Sequence, residues 1–446
     1  PRTSHFDIQA RATTSPLNTP HHSDRQCRPP LGGPQDAASL SRLPFSVMLT
    51  GTRKTNGNAV AVSAMSEHLD ARTAISEVAD TLHEGLRGVA PDLVLLMASY
   101  QHARVLPEAA GELRRTLGAG HLLGGTVDTV MGDARAPEGR PAAAALALHV
   151  PGIRLRAWRS TPRHPLPISR PDDLPDILGM DDGTQGIFVI GDPYTTPATR
   201  MIPTLARCSG RKVHVFGGLL SGASQAGSNC VLLDDLAISD GCVGVTIGGI
   251  DIDVIASEGC TPIGNTMVIT QCDKNVVQQL GGIDATEALQ STVQAAPAKL
   301  QELARHGLVL GQALDSNKKR FGRGDFELRN VLGVDPDKGI AVAAMPKVGR
   351  TVQFHVREPQ AADEDLRLLL DGQSLDVPPL AVIATSCNAR GARFFGHPAH
   401  DVGVLRERLG KPPLVGFHAV GEFGPLGGGS TVHGQSIVAA MLRART

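Results

Sequence analysis

The chain is short of several things, and each shortage removes a class of function. Its seven cysteines stand at 27, 208, 230, 242, 260, 272 and 387, and no two form a C-x-x-C pair. A zinc ribbon, a thioredoxin-type motif and covalent c-type haem attachment are therefore not indicated. An odd, widely spaced set reads as reduced thiols in a cytoplasm. Aromatic residues make up only 3%, too few for base-stacking platforms or aromatic cages. The net charge is −1, so no dedicated nucleic-acid surface is expected. The one basic cluster, Lys318-Lys319-Arg320 with Arg323, reads as a solvated loop. No apolar run reaches the ~18–20 residues that cross a bilayer, and no secretory h-region opens the chain. A cytoplasmic protein with no membrane partner is the expectation. The phosphate loop G-x-x-x-x-G-K-[ST] and the dinucleotide fingerprint G-x-G-x-x-G are both missing, which argues against nucleotide-dependent activity.

What is present describes a globular protein. The 446 residues are 41% apolar and 20% charged, enough for two or three domains with real cores. Fifty glycines and 31 prolines suit many short strands and turns. Residues 1–45, rich in Pro, Ser, Thr, Arg and His, show no periodicity and read as a disordered extension. Ala71–Leu86 reads as an amphipathic helix, with Ile75, Val78, Ala79 and Leu82 at 3–4 spacing.

One unit recurs three times. An apolar strand ends in a small polar residue, a helix follows, and a second strand carries glycine. The first copy is Leu93–Ala98, Ser99, helix Val105–Leu117 and His121–Gly125; the second is Gly186–Gly191, Asp192, helix Pro197–Cys208 and Val213–Gly218. The third is Leu380–Thr385, Ser386, a longer loop, helix Ala399–Leu409 and Leu414–Gly416. Such units fit strand–helix–strand crossovers whose strand ends converge on one sheet edge. Between them lie short strands, among them Ala142–Val150, Cys242–Ile247 and Ile252–Ala256. A single long helix is expected over Ala285–His306, as a hinge between two domains at 46–280 and 281–446. The predicted fold class is α/β, with mixed β-sheets and strand–helix–strand crossovers.

The chemistry concentrates in two C-terminal glycine-rich loops. One is Ser386-Cys387-Asn388-Ala389-Arg390-Gly391, directly after a strand. The other runs Gly421-Glu422-Phe423-Gly424-Pro425, then Gly427–Gly429 and His433-Gly434. Strand-end loops are where folds keep their function. Cys387 with His433 as base and Glu422 as orienter would make a thiol nucleophile. A nucleophile elbow, however, wants glycine two residues earlier, where Thr385 stands. Cys387 therefore reads as a lining or packing residue, and no catalytic residue is assigned. A Cys-dependent hydrolase or transferase stays as an alternative. Arg390 offers a donor fork for a ligand carboxylate and Glu422 an acceptor for its ammonium, as a free amino acid requires. The competing reading is an internal Arg390–Glu422 bridge that stiffens the two loops.

The expected ligand wall comprises Ser386, Cys387, Asn388, Arg390, Gly391, Gly421, Glu422, Gly424 and His433. Gly124, Gly217 and Gly218 join it from the first two units. His433 orders its loop, contacts ligand, or binds haem iron; His102, His214, His355 and His418 are the other candidate haem ligands. Haem is the one cofactor in view, and no metal site is assigned. Cys230, Cys242, Cys260 and Cys272 read as core packing. Arg323-Gly324-Asp325 reads as a tight turn.

These segments resemble the FIST family of small-ligand sensory domains over roughly residues 60–435. The resemblance rests on Asp92–Leu96, Phe216–Ser221, Gly259–Gly264, Arg329–Asp335, Val352–Arg357 and, above all, Ser386–Gly391 and Gly421–Pro425 with His433-Gly434. The family's Cys-x-Gly-Arg-Gly pattern departs at Ala389, and a Gly-Cys-Ser-type turn reads Gly124-Gly125-Thr126. The resemblance implies a bacterial stand-alone sensor, with an N-terminal and a C-terminal FIST domain. Its ligand would be an amino acid or related metabolite, and its signal would pass through a separate output protein rather than through catalysis. Haem-based nitric-oxide sensing and a protein-recognition scaffold are the other roles the family suggests.

Overall fold

Every residue of Leu93–Ser99 is buried, with no polar alternation. A strand of that kind must be covered on both faces. The computed structural model, which describes residues 48–54, 58–208, 210 and 213–445, shows how. The extension expected over residues 1–45, and Cys27 within it, lie outside the described residues.

The chain falls into three successive stretches. The first holds β1 (Met48–Lys54), β2 (Val60–Ser66), α1 (Ala71–Leu86), β3 (Leu93–Ser99), α2 (Leu106–Leu117), β4 (His121–Val127), β5 (Val130–Met131) and β6 (Ala143–His149). The second holds β7 (Arg154–Ser160), α3 (Leu174–Ile177), β8 (Thr184–Gly191), α4 (Ala198–Leu205), β9 (His214–Leu220), β10 (Val231–Leu233), β11 (Leu236–Ile238) and β12 (Cys242–Gly248). The third opens with β13 (Asp251–Ser257) and is then interrupted. The interruption is β14 (Cys260–Asp273), β15 (Val276–Leu280), β16 (Ile283–Asp284), α5 (Ala285–Ala295), α6 (Ala298–His306), β17 (Leu308–Ala313), β18 (Phe326–Asp335), β19 (Gly339–Val342) and β20 (Thr351–Arg357). It resumes with α7 (Pro359–Gln373), β21 (Ala381–Cys387), α8 (Ala392–Phe395), α9 (His400–Arg408), β22 (Leu414–Leu426), β23 (Gly429–His433) and β24 (Ile437–Arg443).

The three stretches share one topology. Their strands run in the orders β2-β6-β3-β4, β7-β12-β8-β9 and β13-β24-β21-β22. In each, the first strand pairs antiparallel with the last, the last pairs antiparallel with the second, and the second runs parallel to the third. The fold is a threefold internal repeat, and its three parallel pairs are the three units read from the sequence. The same glycine recurs in each third strand. A Cβ would stand 1.9 Å from Leu96 O at Gly124, 2.0 Å from Val189 O at Gly217 and 2.5 Å from Ala384 O at Gly416. At these three positions the parallel neighbour's backbone lies too close for a side chain.

Repeats two and three join through β9 and β22 into one large sheet, and repeat one forms a second sheet. The two sheets pack face to face through Leu95, Met97, Phe188, Phe216 and Phe417. Helices α1 and α2 cover the outer face of the first sheet. Helices α3 and α4 cover repeat two's outer face, and α7 and α9 cover repeat three's. Helix α1 is cut as its sequence dictates: Asp70 caps it by accepting from Thr73 N, and Arg87 ends it in the left-handed region. Among the described residues, no helix is long and apolar enough to cross a membrane.

The interrupting segment folds into its own antiparallel sheet, β14-β20-β17-β18-β19-β15-β16, over α5 and α6. It leaves and re-enters the body side by side, because Cys260 pairs with Arg357. The boundary expected at residue 280 falls inside this segment, and the ten-stranded sheet draws strands from both sides of it. Two local expectations need correction. The single helix expected over Ala285–His306 is two, α5 and α6, broken before Pro297, which cannot supply the next helical N–H. The glycine-rich loop expected over 421–434 is mostly a hairpin of β22 and β23, turned tightly at Gly427-Gly428, both with positive φ.

Candidate functional site

The interrupting segment stands against the third repeat, and the gap between them is a cavity of about 610 Å³. That is within the range of small-molecule sites. Its floor comes from the end of β13 and the start of β14, one wall from α7, another from the Pro425–Gly429 hairpin tip, and its cover from the 321–324 loop, β18 and β20. Phe321, Phe326, Leu328, Leu369 and Leu426 make much of the lining apolar. A few polar groups converge on it: Glu258, His433, His355, Asp365 and Arg323.

His433 is buried, with Nδ1 3.0 Å from Glu258 Oε1 and Nε2 3.1 Å from Pro425 O. Both ring nitrogens face acceptors, so both must donate and the ring is an imidazolium. Burial alone would lower its pKa, but the hydrogen bond and charge of Glu258 outweigh burial and raise it. His355 is the opposite case. Burial pushes it down to about 4, and Nδ1 donates to Gln353 O at 3.0 Å, leaving the lone pair on Nε2. Its ring packs edge-on to Phe326. Asp365 accepts from Ser257 Oγ at 2.7 Å and from Arg323 Nη1 at 3.2 Å, which ties α7 to the interrupting segment at the mouth. Cys260 lines the floor as a neutral thiol, burial pushing it up to about 12.

Of the ligand wall expected from the sequence, His433 lines the cavity and the others sit behind or away from it; His355, one of the candidate haem ligands, and Cys260 line it as well. Gly217, Gly218, Glu422 and His433 come together: Glu422 pairs with Gly218 on one side and His433 on the other, and Phe423 pairs with Gly217. Gly421 and Gly424 lie in the same strand, and the register slips between Ala419 and Glu422, a bulge that re-aims the chain. Gly124 lies in the first sheet. Arg390 is fully buried and sets Nε and Nη2 on the two oxygens of Asp401, at 2.8 and 2.9 Å. Ser386 donates to the same carboxylate at 2.6 Å. Neither the ligand fork nor the Arg390–Glu422 bridge read from the sequence is what this guanidinium makes. Gly391 abuts the carboxylate of Glu138, which accepts from Ala392 N at 2.7 Å. The 386–392 segment is thus a carboxylate-binding turn, filled by the protein's own Asp401 and Glu138. Asn388 is exposed.

Cys387 is a buried thiol that burial pushes up to about 12, helped by the charge of Glu422. A thiol held so firmly in its neutral form is a poor nucleophile. Glu422 is fully buried, and burial pushes its carboxyl up to about 7 against the hydrogen bonds from Ser436. Glu258, Asp365 and Arg323 escaped the sequence reading as site residues, because they lie in segments joined only by the fold. One signal was available: each repeat's first strand ends in serine, at 66, 160 and 257. In repeats one and three that serine donates to a carboxylate on the next helix, Ser66 to Glu77 and Ser257 to Asp365.

Two family models match the chain. The FIST N domain matches residues 92–283 and the FIST C domain residues 285–425. The uncharacterized protein Rv0628c of Mycobacterium tuberculosis is 31% identical over 371 residues, 82% of this chain and 94% of that protein. The uncharacterized protein Mb0898c of Mycobacterium bovis is 30% identical over the same shares. Among solved structures, a crystal structure of cyanuric acid hydrolase from A. caulinodans aligns over 87% of this chain and 100% of its own, at 10% identity and a TM-score of 0.28. A likeness that weak carries no argument.

Proposed function

Because the chain belongs to the FIST family, whose architecture supports a sensory, ligand-binding role, we propose that it senses a small molecule held in the cavity between the third repeat and its interrupting sheet. The observation that carries the proposal is the convergence of both charge signs on a mostly apolar cavity: Arg323 and His433 with Glu258 and Asp365. An amino acid or related metabolite suits that lining. Its carboxylate meets Arg323 or His433, its ammonium meets Glu258 or Asp365, and its side chain lies on Phe321, Phe326 and Leu369. The chain acts by binding, and a separate protein reads the shift of the interrupting sheet against the body. The buried, neutral Cys387 thiol supports binding over thiol chemistry. The test is a thermal-shift panel of the free amino acids on wild type, Glu258→Gln and Arg323→Ala. A ligand-dependent rise is expected in wild type and a smaller one in each variant. An undiminished rise in both variants removes this cavity as the site.

A second reading has one observation in its favour. His355 lines the same cavity with Nδ1 fixed on a backbone carbonyl and Nε2 carrying the lone pair, the arrangement of an iron-ligating histidine. His433 has both nitrogens engaged, and His102, His214 and His418 do not line the cavity. Haem would bring gas binding at its iron, with His355 as the side chain to hold it. Haem titration of wild type and His355→Ala decides: a Soret shift absent from the variant supports this reading, and no shift in wild type ends it.

A further inference from the structure

Glu422 is sealed inside β22, held by Ser436 with the Cys387 thiol and the charge of His433 as lesser supports. Its Oε2 accepts from N and Oγ of Ser436 at 3.2 and 2.8 Å, and its Oε1 has no hydrogen-bond partner. Neutral donors on one oxygen do not replace the water that a full carboxylate loses on burial. The ionised form is costly there, and the carboxyl keeps its proton up to about pH 7.

The groups around it make that proton matter. Across the hairpin stands His433, which lines the cavity with Glu258 against its Nδ1. Cys387 at the end of β21, Arg390 in the turn after it and Arg357 on β20 complete the titratable and charged surroundings. Asp401 neutralises Arg390, and Glu258 neutralises His433. Arg357 donates to Ala389 O, an uncharged partner, and the carboxylate acting on it is Glu422. The hairpin that carries Glu422 and His433 continues directly into the Pro425–Gly429 cavity wall.

We propose that Glu422 is a proton-operated regulator of the cavity. Protonated, it leaves the wall around Arg357 and His433 net positive, which favours anionic groups of a ligand. Ionised, it cancels that charge and shifts the preference toward cationic groups. The consequence for sensing rests on the cavity being the ligand site, but the switch itself is testable without a ligand.

Leu426 lines the cavity at the hairpin tip, and Leu426→Cys places a thiol there. Its modification rates with a cationic (trimethylammonium) and an anionic (sulfonate) thiosulfonate reagent are compared from pH 6 to pH 8, with the site resolved by peptide mass mapping. The ratio of the two rates cancels the thiolate fraction and reads local charge alone. The cation-to-anion ratio is expected to rise about threefold, the effect of one unit charge about 14 Å away along the strand acting with opposite sign on the two reagents. The rise is smaller when Glu422→Gln is added. Should that variant not fold, Ser436→Ala, which removes a donor to the ionised form, moves the midpoint of the rise to higher pH. A flat ratio in the Leu426→Cys parent, an undiminished rise with Glu422→Gln, or an unmoved midpoint with Ser436→Ala overturns the proposal. An empty amino-acid panel with the ratio behaving as expected would instead remove the ligand reading and leave the switch standing.

Discussion

Arg390 and Asp401 meet as a two-pronged ion pair with neither side chain open to water, Asp401 also holding Ser386 and His400. Burial works against the Arg390 cation, and the charge of Asp401 outweighs it and raises its pKa. Burial alone would raise the Asp401 carboxyl, but Arg390, His400 and Ser386 hold it below the usual range. Breaking such a pair leaves a buried charge without compensation. Asp401→Ala is expected to lose about 3–5 kcal/mol in urea unfolding. A loss under about 1 kcal/mol would mean that Arg390 finds water or another partner.

The repeated glycines make a prediction in triplicate. Gly124→Ala and Gly217→Ala drive a Cβ into a neighbouring carbonyl, at about two-thirds of the 3.0 Å below which a Cβ contact essentially never occurs, and Gly217 also has a φ of 122° that alanine resists. Backbone cannot yield as a side-chain tip does. Both variants are expected to lose more than about 4 kcal/mol, read as insoluble or unfolded protein. Gly416→Ala, with 2.5 Å to Ala384 O and a flexible Met131 tip nearby, loses less. Equal tolerance at all three positions would deny that the strands are held this close.

Stability should fall as the pH rises past 6.5. Glu422 titrates at about 7 in the fold against an ordinary 4.5, so the folded state holds its proton more tightly. Its contribution is whole below 4.5 and is lost as the pH rises through about 7. His433, also raised, adds a loss in the same direction above its ordinary 6.5. His355, down at about 4, acts in the opposite sense and only between 4 and 6.5. Melting temperature should therefore decline from pH 6.5 to 8, and Glu422→Gln should decline less. Parallel curves for the two proteins would show that Glu422 ionises unhindered.

Cys387 should be silent to alkylation. With the thiol buried and pushed up to about 12, iodoacetamide at pH 7.5 is expected to leave it unlabelled in the native protein and to label it fully in urea. Rapid native labelling, followed by peptide mass mapping, would restore the nucleophile reading.

The parallel pairs were legible because their signals are local. Leu93–Ala98 is apolar throughout, and Gly124 and Gly217 mark the third strands at fixed distances from Ser99 and Asp192. That the three units belong to one repeated topology was harder to see. The returning strands β6, β12 and β24 lie at different distances along the chain, and 98 residues, 260–357, interrupt the third copy. The candidate site was legible in part. His433 and the chemistry of a carboxylate-binding turn at 386–391 were visible, but nothing local says that Asp401 fills that turn. Glu258, Arg323 and Asp365 are brought to one cavity by tertiary packing that no spacing records.

The close pairing of Cys260 with Arg357 has a consequence for how the molecule can be taken apart. The two ends of the interrupting segment lie one strand spacing apart, roughly 5 Å, a gap that a single residue spans. Joining Gly259 to Glu358 would leave β13 leading straight into α7, as β2 leads into α1. The remainder is a body of three like parts, each with four strands under its own helices, and it has lost the roof over one corner. What distinguishes this protein from a plain trimer of repeats is a removable piece, and the cavity goes with it.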